Sequence, residues 1–149
     1  MKKKTLAKNK KAFFDYEILD TLEAGIALMG SEVKSVREGR IQLKGSYIGI
    51  RNNEVYLVGA HISPYQQGEN FEPERLRKLL LKRGEIKHLD AKSRTAGITL
   101  IPTEIYLKNN LIKVAVSVAR GKKKYDKRET KKKRELERQL RREYKNIKI

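Results

Sequence analysis

Two Asn-Asn dipeptides, each set between runs of alternating apolar and polar residues, most strongly constrain the fold of this chain. Asn52-Asn53 separates residues 47–51 from 54–58, and Asn109-Asn110 separates residues 98–108 from 111–119. Asparagine tolerates a positive φ angle, which both central residues of a tight hairpin turn need. The sequence therefore predicts two antiparallel β-hairpins.

The second hairpin has the clearest strand pattern. Ile112, Val114, Val116 and Val118 fall on one face of the last strand, as in a strand with one face against a core. Pro102 lacks a backbone N–H in the preceding strand, so we expect it at a sheet edge or a bulge.

Four further elements are predicted from glycines, caps and apolar spacing. They are a strand over residues 16–29 with a bend or bulge at Gly25, a helix over 32–38 between a Ser31 cap and Gly39, a buried strand over 76–81, and a helix over 84–96 that stops at Gly97. The total is about six strands and two short helices. Such a strand-rich set favours a mainly β fold that closes into a small antiparallel barrel.

Charge is concentrated at the two ends of the chain. The net charge is +18, of which residues 1–11 contribute six lysines and no acid, and residues 120–149 contribute fifteen basic and five acidic side chains. Residues 12–119 hold the remaining fifteen basic and thirteen acidic side chains, a net charge of +2. Cationic ends on a nearly neutral body suit a polyanionic partner, because each cation near a phosphate releases a counterion.

Two polyanions fit the basic C-terminal segment, a nucleic acid and a membrane surface. Tyr125 and Tyr144 are interleaved with its lysines and arginines, which suits stacking on bases, whereas its apolar stripe is thin for membrane insertion. Nucleic acid is therefore the favoured partner. Asp126 and Glu129 fit a capping box, which favours a helix. Repulsion among the lysines at 122–124 and 131–133 opposes that helix in isolation, so we expect a segment that is disordered when free and helical on its partner.

Several functional classes lack their usual residues. The chain has no cysteine and two histidines, and neither His61 nor His88 has a nucleophile or carboxylate at catalytic spacing. His88 is expected on a solvated helix face. We expect no metal site, no cofactor and no catalytic residue. The basic start lacks the apolar core of a secretory signal, and no apolar run reaches the roughly 18 residues of a membrane span, so a cytoplasmic protein is expected.

Six strings of residues resemble, in order, the SsrA-binding protein family, also called small protein B. They are Asn9-Lys10-Lys11-Ala12, Glu23-Ala24-Gly25-Ile26, Gly30-Ser31-Glu32-Val33-Lys34-Ser35, His61-Ile62-Ser63-Pro64-Tyr65, Arg77-Lys78-Leu79-Leu80-Leu81 and Ala119-Arg120-Gly121-Lys122-Lys123-Lys124-Tyr125-Asp126-Lys127-Arg128. The resemblance runs from about residue 9 to the end, and six ordered strings are far more specific than any single motif.

The resemblance implies an oligonucleotide-binding-type antiparallel β-barrel with short flanking helices. It also implies a non-enzymatic bacterial factor, expected to be a monomer, that binds transfer-messenger RNA at its tRNA-like domain. The complex enters ribosomes stalled on messages without a stop codon, and the C-terminal tail enters the decoding centre and the empty mRNA path. The expected division is a basic N-terminal arm over 1–11, an RNA-binding barrel over 12–120 and a basic tail over 121–149.

The family's functional residues carry over by motif to two sets. The RNA-binding candidates are Asn9, Lys10, Lys11, Tyr16, Glu23, Lys34, Lys78 and Leu80. The ribosome-binding candidates in the tail are Gly121, Lys122, Lys123, Tyr125, Asp126, Lys127 and Arg128. Two of the RNA-binding candidates also suit a purely structural role. Leu80 is also suited to a core position, and Glu23 is also suited to an ion pair with a barrel lysine.

One departure from the family pattern is Phe13-Phe14, which stands where the family often has an Arg-His pair. Stacking on a base or ribose is therefore expected there rather than a phosphate contact.

Two other functions are to be distinguished from binding of transfer-messenger RNA. One is a generic ribosomal or RNA-chaperone protein with a small β-barrel, and the other is a ribonuclease or deaminase that uses the barrel as a platform.

Overall fold

The computed structural model describes residues 3–64, 71–122, 134–136 and 138. The described residues up to Lys122 form nine strands and three helices. In chain order they are β1 Lys3–Lys8, α1 Lys10–Asp15, β2 Tyr16–Ile26, α2 Gly30–Arg37, β3 Ile41–Gln42, β4 Tyr47–Arg51, β5 Glu54–Val58, β6 His61–Ile62, β7 Arg77–Leu80, α3 Arg83–Ser93, β8 Ile98–Lys108 and β9 Leu111–Gly121. The prediction of a mainly β fold with short helices is confirmed.

Seven strands form one antiparallel sheet in the order β1-β8-β9-β2-β7-β5-β4, while β3 and β6 form a separate pair. The sheet curls, so that β4 at one end packs against β8. Apolar side chains from its concave side form the main core, including Leu57, Leu79, Ile105 and Val114, which are fully or almost fully buried. A second, smaller buried cluster comprises Ala12, Ile101 and Ala119.

Both predicted hairpins are present with the predicted turns. Asn52 and Asn53 have φ angles of 53° and 61°, and Asn109 and Asn110 have φ angles of 54° and 64°. These turns set Arg51 opposite Glu54 in one hairpin and Lys108 opposite Leu111 in the other. A positive φ at both central residues matches the right-handed twist of the flanking strands.

The two expected irregularities have different outcomes. Pro102 does lie at a bulge, because the β8–β9 register shifts between Pro102 and Glu104. Of the bend or bulge predicted at Gly25, the bulge is wrong, since the register shift of β2 lies between Ile18 and Asp20. Gly25 is instead paired on both sides, and a Cβ atom there would lie 3.3 Å from the Leu80 Cβ. The strand expected to reach residue 29 ends at Ile26.

Both longer helices have limits that differ from the prediction. Ser31 is not the cap of α2, because the helix begins at Gly30 with Met29 as its N-cap residue. Glu32 takes the capping role, and its Oε1 accepts a hydrogen bond from the Met29 N–H at 2.8 Å. Helix α3 ends at Ser93 rather than at residue 96. Gly39 and Gly97 follow these helices with positive φ, as expected of residues that end helices.

The N-terminal lysines lie within the sheet, which the sequence did not predict. Lys3–Lys8, inside the range expected as a basic arm, forms β1 and pairs antiparallel with β8. Asn9 then caps α1, a helix that was also not predicted. The short strands β3 and β6 were missed as well, since two-residue strands leave no periodic signal.

Candidate nucleic-acid interface

The eight RNA-binding candidates lie in two groups at opposite ends of β2. The α1 group comprises Asn9, Lys10, Lys11 and Tyr16, and the sheet group comprises Glu23, Lys34, Lys78 and Leu80. Tyr16 is the first residue of β2, and Glu23 follows seven residues later on the same strand. At the usual rise of a strand the two groups are about 20 Å apart. They therefore form two surfaces rather than one.

Asn9 stabilises the start of α1, the helix of the α1 group. It is buried, and its Nδ2 donates hydrogen bonds to the carbonyls of Pro102 at 2.8 Å and Leu43 at 3.5 Å. Its Oδ1 accepts from the Ala12 N–H at 3.2 Å, which caps α1. The side-chain amide is thus occupied within the protein, and Asn9 fixes the start of the helix that carries exposed Lys10 and Lys11.

An open groove of about 650 Å³ runs beside this helix and is lined by Lys11, Tyr16, Lys44 and Tyr47. Lys44 is exposed on the turn before β4 and Tyr47 is exposed at the first position of β4, and neither was selected from the sequence. Their signal was present as Lys44-Gly45-Ser46-Tyr47, a basic and an aromatic residue around a glycine with a φ of 78°. Cations beside accessible rings are suited to phosphates and stacked bases.

Glu23 is the central charged residue of the sheet group. The Tyr106 hydroxyl donates to its Oε2 at 2.5 Å, and the Lys108 Nζ lies 3.3 Å from the same oxygen. The Tyr106 hydrogen bond, together with Lys108 and the nearby charge of Lys113, holds the pKa of Glu23 below its usual range. Glu23 is therefore an ionised acceptor at neutral pH, even though it has the lysine partner that the ion-pair reading expected.

Leu80 is not a core residue, because 54% of it is exposed. It lies opposite Gly25 in the β2–β7 register, and Gly25 also lies opposite Lys113 of β9. A groove of about 260 Å³ beside it includes Lys113 and the exposed Leu111. An exposed leucine next to a lysine allows apolar contact with a sugar or base edge while the cation neutralises a phosphate.

The two remaining lysines of the sheet group are both exposed. Lys78 lies opposite Tyr56 of β5, and its Nζ is 3.2 Å from Glu54 Oε1. Lys34 projects from α2. Exposed pairs such as Lys78–Glu54 exchange readily with solvent and other partners, so this lysine is available to a phosphate.

A buried ion pair fixes α2 against β7 and thereby places these two lysines. Arg77 and Glu32 are fully buried, with Arg77 Nε donating to Glu32 Oε2 at 2.8 Å. Arg77 also donates to the carbonyls of Ala60 and Glu72, and Arg75 binds the other oxygen of Glu32. Burial raises the pKa of Glu32, but the hydrogen bonds from Arg75, the Met29 N–H and Arg77 outweigh it and hold the pKa below its usual range.

The start of the tail adjoins the α1 group. Gly121, the last residue of β9, lies opposite Tyr16, and the Lys122 N–H donates to the Asp15 carbonyl at 2.9 Å. The other tail candidates lie outside the described residues: Lys123, Tyr125, Asp126, Lys127 and Arg128. Residues 134–136 and 138 are helical, and the Arg134 guanidinium lies 5.1 Å from the centre of the Phe14 ring.

Comparison with known proteins identifies the family. A family model described as "SmpB protein" matches residues 6–146. The chain belongs to the SmpB family. An SsrA-binding protein of Streptococcus pyogenes is 51% identical over 143 residues, which cover 95% of this chain and 92% of that protein. An SsrA-binding protein of Ligilactobacillus salivarius is 52% identical over 147 residues, covering 97% of this chain and 95% of that protein.

The fold of this SmpB-family chain is also similar to a solved structure, described as "tmRNA-SmpB: a journey to the center of the bacterial ribosome". The TM-score is 0.67 at 43% sequence identity, and the match covers 83% of this chain and 92% of the other. The resemblance predicted from six motifs is thus confirmed, together with the fold class that it implied.

Within the part of the SmpB-family chain that the structure describes, the side chains reveal no group of histidines and carboxylates able to hold a metal ion. The same residues contain no helix long and apolar enough to cross a membrane.

His88 is on the surface as predicted, and its Nε2 lies 3.2 Å from an oxygen of Asp20. Phe13 is 44% exposed, which leaves a ring accessible beside Lys10 and Lys11.

Proposed function

We propose that this protein binds transfer-messenger RNA at its tRNA-like domain and delivers it to stalled ribosomes for trans-translation, in which ribosomes are rescued and incomplete proteins are tagged. The observation that carries the proposal is the SmpB family match over residues 6–146. The relatives named SsrA-binding protein and the tmRNA-SmpB structure on the bacterial ribosome support the two partners. The protein acts as a non-enzymatic adaptor in the cytoplasm, where ribosomes are found.

The sheet group is the surface proposed to recognise the RNA. Glu23 accepts hydrogen bonds from base amino groups or ribose 2′-hydroxyls, because an ionised carboxylate has only acceptor sites. Leu80 packs on a sugar or base edge, and Lys34 and Lys78 neutralise phosphates. This surface combines acceptor, apolar and cationic contacts on one sheet face with a further lysine on α2, and such a mixture supports selectivity beyond charge alone.

The α1 group adds a second RNA contact at the other end of β2. Lys10 and Lys11 are aimed outward by the Asn9 cap, and Tyr16 lines the adjoining groove. The role of Asn9 is therefore indirect. Since Gly121 pairs with Tyr16, the α1 group also lies where the tail departs, and RNA bound there would run beside the tail.

The tail is proposed to bind the ribosome through Gly121, Lys122, Lys123, Tyr125, Asp126, Lys127 and Arg128. It enters the decoding centre and the empty mRNA path, where no codon pairs with an anticodon. Its fourteen basic and five acidic side chains over residues 121–149 suit a channel of ribosomal RNA. The proposed division remains a basic N-terminal arm over 1–11, of which Lys3–Lys8 pairs with the sheet as β1, an RNA-binding domain over 12–120 and a tail over 121–149.

The test is a pull-down of the tagged full-length protein from a bacterial lysate, followed by sequencing of the bound RNA. Transfer-messenger RNA is expected to be enriched over bulk tRNA and ribosomal RNA. Direct titration with the isolated tRNA-like domain and with an elongator tRNA then gives the selectivity ratio. Equal affinity for both RNAs would favour the generic ribosomal or RNA-chaperone function instead. Cleavage or deamination of labelled RNA during the incubation would contradict the non-enzymatic role.

A further inference from the structure

We propose that Tyr106 is a positioning residue for RNA recognition, which holds the Glu23 carboxylate in its RNA-binding orientation without itself contacting the RNA. This inference rests on the proposed function, in which Glu23 is an RNA contact. Tyr106 belongs to none of the six motifs that carried the family resemblance. Its role follows from its place in the sheet.

Tyr106 reaches Glu23 across an intervening strand. Tyr106 lies on β8 and Glu23 on β2, with β9 between them in the sheet. The β9 residue opposite Glu23 is Ala115, whose small side chain leaves the space that the phenol needs. The hydroxyl then donates to Glu23 Oε2 at 2.5 Å, a length typical of a hydrogen bond to a charged oxygen.

The ring of Tyr106 is not accessible to an RNA. Tyr106 is 5% exposed, and the Lys3 Nζ lies over its ring at 4.4 Å from the centroid. Lys3 is held in that place by Glu104, whose Oε1 is 2.6 Å from the same Nζ. In contrast, 38% of the Glu23 side chain is exposed. Tyr106 therefore acts on an RNA only through the carboxylate that it holds.

Holding the carboxylate matters because a surface glutamate is otherwise free to rotate. Ordering such a flexible side chain on binding reduces affinity, and a glutamate held in place before binding avoids this loss. The charges around the pair keep the arrangement fixed at neutral pH. Tyr106 faces Glu23, Glu104 and Lys3, and burial and the Glu23 bond raise its pKa, so it remains a donor. Glu23 retains acceptor sites for the RNA, because a carboxylate offers about four.

The test compares affinities of full-length variants for the isolated tRNA-like domain of transfer-messenger RNA. Glu23→Gln is expected to weaken binding by more than about tenfold, and Tyr106→Phe, which removes only the hydroxyl, by about three- to tenfold. The double variant is expected to bind like Glu23→Gln alone, because Tyr106 acts through Glu23. Glu23→Asp keeps the charge but withdraws it from the hydroxyl, and adding Tyr106→Phe to it is expected to cause no further loss.

A matched control separates positioning from folding. Thr103→Val also removes a hydroxyl from β8, where Thr103 Oγ1 lies 3.0 Å from Ser117 Oγ within the buried part of the sheet. It is expected to leave the affinity unchanged, even where it lowers the unfolding midpoint. A carbon-13 NMR titration of the Glu23 carboxyl gives an independent readout. Tyr106→Phe is expected to move that pKa upward toward its ordinary value, and Thr103→Val is expected not to move it.

The outcomes distinguish this inference from the function on which it rests. If Tyr106→Phe binds like the unchanged protein while Glu23→Gln loses affinity, the positioning role is wrong and the RNA contact stands. Losses that add in the double variant would show that Tyr106 acts independently of Glu23, which also overturns the inference. If Glu23→Gln itself binds normally, the proposed Glu23 contact fails, and the inference fails with it.

Discussion

The backbone N–H of Lys122 donates a hydrogen bond to the carbonyl of Asp15 at 2.9 Å, which ties the end of β9 to the end of α1. The chain is therefore hydrogen-bonded to the folded domain as far as Lys122. Truncation after this residue preserves the bond, the Gly121–Tyr16 pairing and both groups of candidate RNA-binding residues. It removes thirteen basic and five acidic side chains, a net charge of +8.

We expect this truncated protein to bind the tRNA-like domain with an affinity reduced by less than about tenfold at physiological salt, because all eight candidate RNA-binding residues remain and the loss is mainly one of charge. Tagging on stalled ribosomes is expected to be abolished, since nothing then enters the mRNA path. RNA titration and an in vitro tagging assay measure the two effects. Tagging at normal rates by the truncated protein would contradict the role of the tail.

A smaller change in the tail tests geometry against charge. Combined substitution of Asp126, Lys127 and Arg128 with alanine removes one acid and two bases, a net loss of one positive charge. If Asp126 caps a helix that forms on the ribosome, we expect tagging to fall by more than about tenfold while RNA affinity is retained. Lys145→Ala, which removes the same net charge elsewhere in the tail, is the control. Equal defects in the two variants would show that total charge alone matters.

RNA affinity is expected to depend strongly on salt. Contacts with about five to eight phosphates predict a slope of log affinity against log salt of about −0.9 for each contact on a duplex. Lys10→Gln and Lys34→Gln are each expected to reduce that slope by about one contact. A specific component is expected to persist at high salt through Glu23 and Leu80. Titrations at several salt concentrations measure both the slope and the specific component. An affinity that did not change with salt would contradict this interface.

The buried ion pair between Arg77 and Glu32 is expected to dominate the effect of single substitutions on stability. Arg77→Met leaves Glu32 buried with Arg75 as its remaining charged partner, which we expect to lower the free energy of unfolding by about 3 kcal/mol. Arg77→Met combined with Glu32→Gln is expected to be less destabilised than Arg77→Met alone. Urea denaturation at neutral pH measures both. A larger loss in the double variant would show that the charge of Glu32 is not the cause.

The same pair predicts a direction for the effect of pH. The pKa of Glu32 is lower in the folded protein than its ordinary value of 4.5, so the unfolded chain binds the proton more readily. Its stabilising contribution is therefore complete above that ordinary value and is lost as the pH falls through the folded pKa. Glu32→Gln is expected to flatten this acid-side loss of stability, as followed by urea denaturation between about pH 3 and 6. An unchanged pH dependence in this variant would show that Glu32 is not the source of the acid-side loss of stability.

Local chemistry explains which parts of the fold were predictable from the sequence. The Asn52-Asn53 and Asn109-Asn110 turns act through their own φ angles, so both hairpins were predicted with correct limits on the turn side. Strand β1 was missed because its lysine-rich residues pair with β8, about a hundred residues away in sequence. The cap of α2 was assigned to Ser31 because that residue type caps most often, whereas Glu32 provides the cap from inside the helix.

The same distinction applies to the candidate interface. Motifs located exposed Lys10, Lys11 and Lys78, because a family motif marks positions directly. They did not reveal that Asn9 is buried beneath the helix it caps, nor that Arg77 pairs with Glu32 across 45 residues of sequence. Tyr106 was missed for a similar reason, since its partner lies two strands away in the sheet and far away along the chain.

Strand β2 fixes the distance between the two groups of candidate RNA-binding residues. It joins the α1 group to the sheet group, and β9 is bonded to it along nearly the whole of that distance. The two surfaces therefore cannot move apart or together to suit a ligand. An RNA that engages both must already present its contact points at the matching separation, so the dimensions of the folded RNA are selected as well as its chemistry.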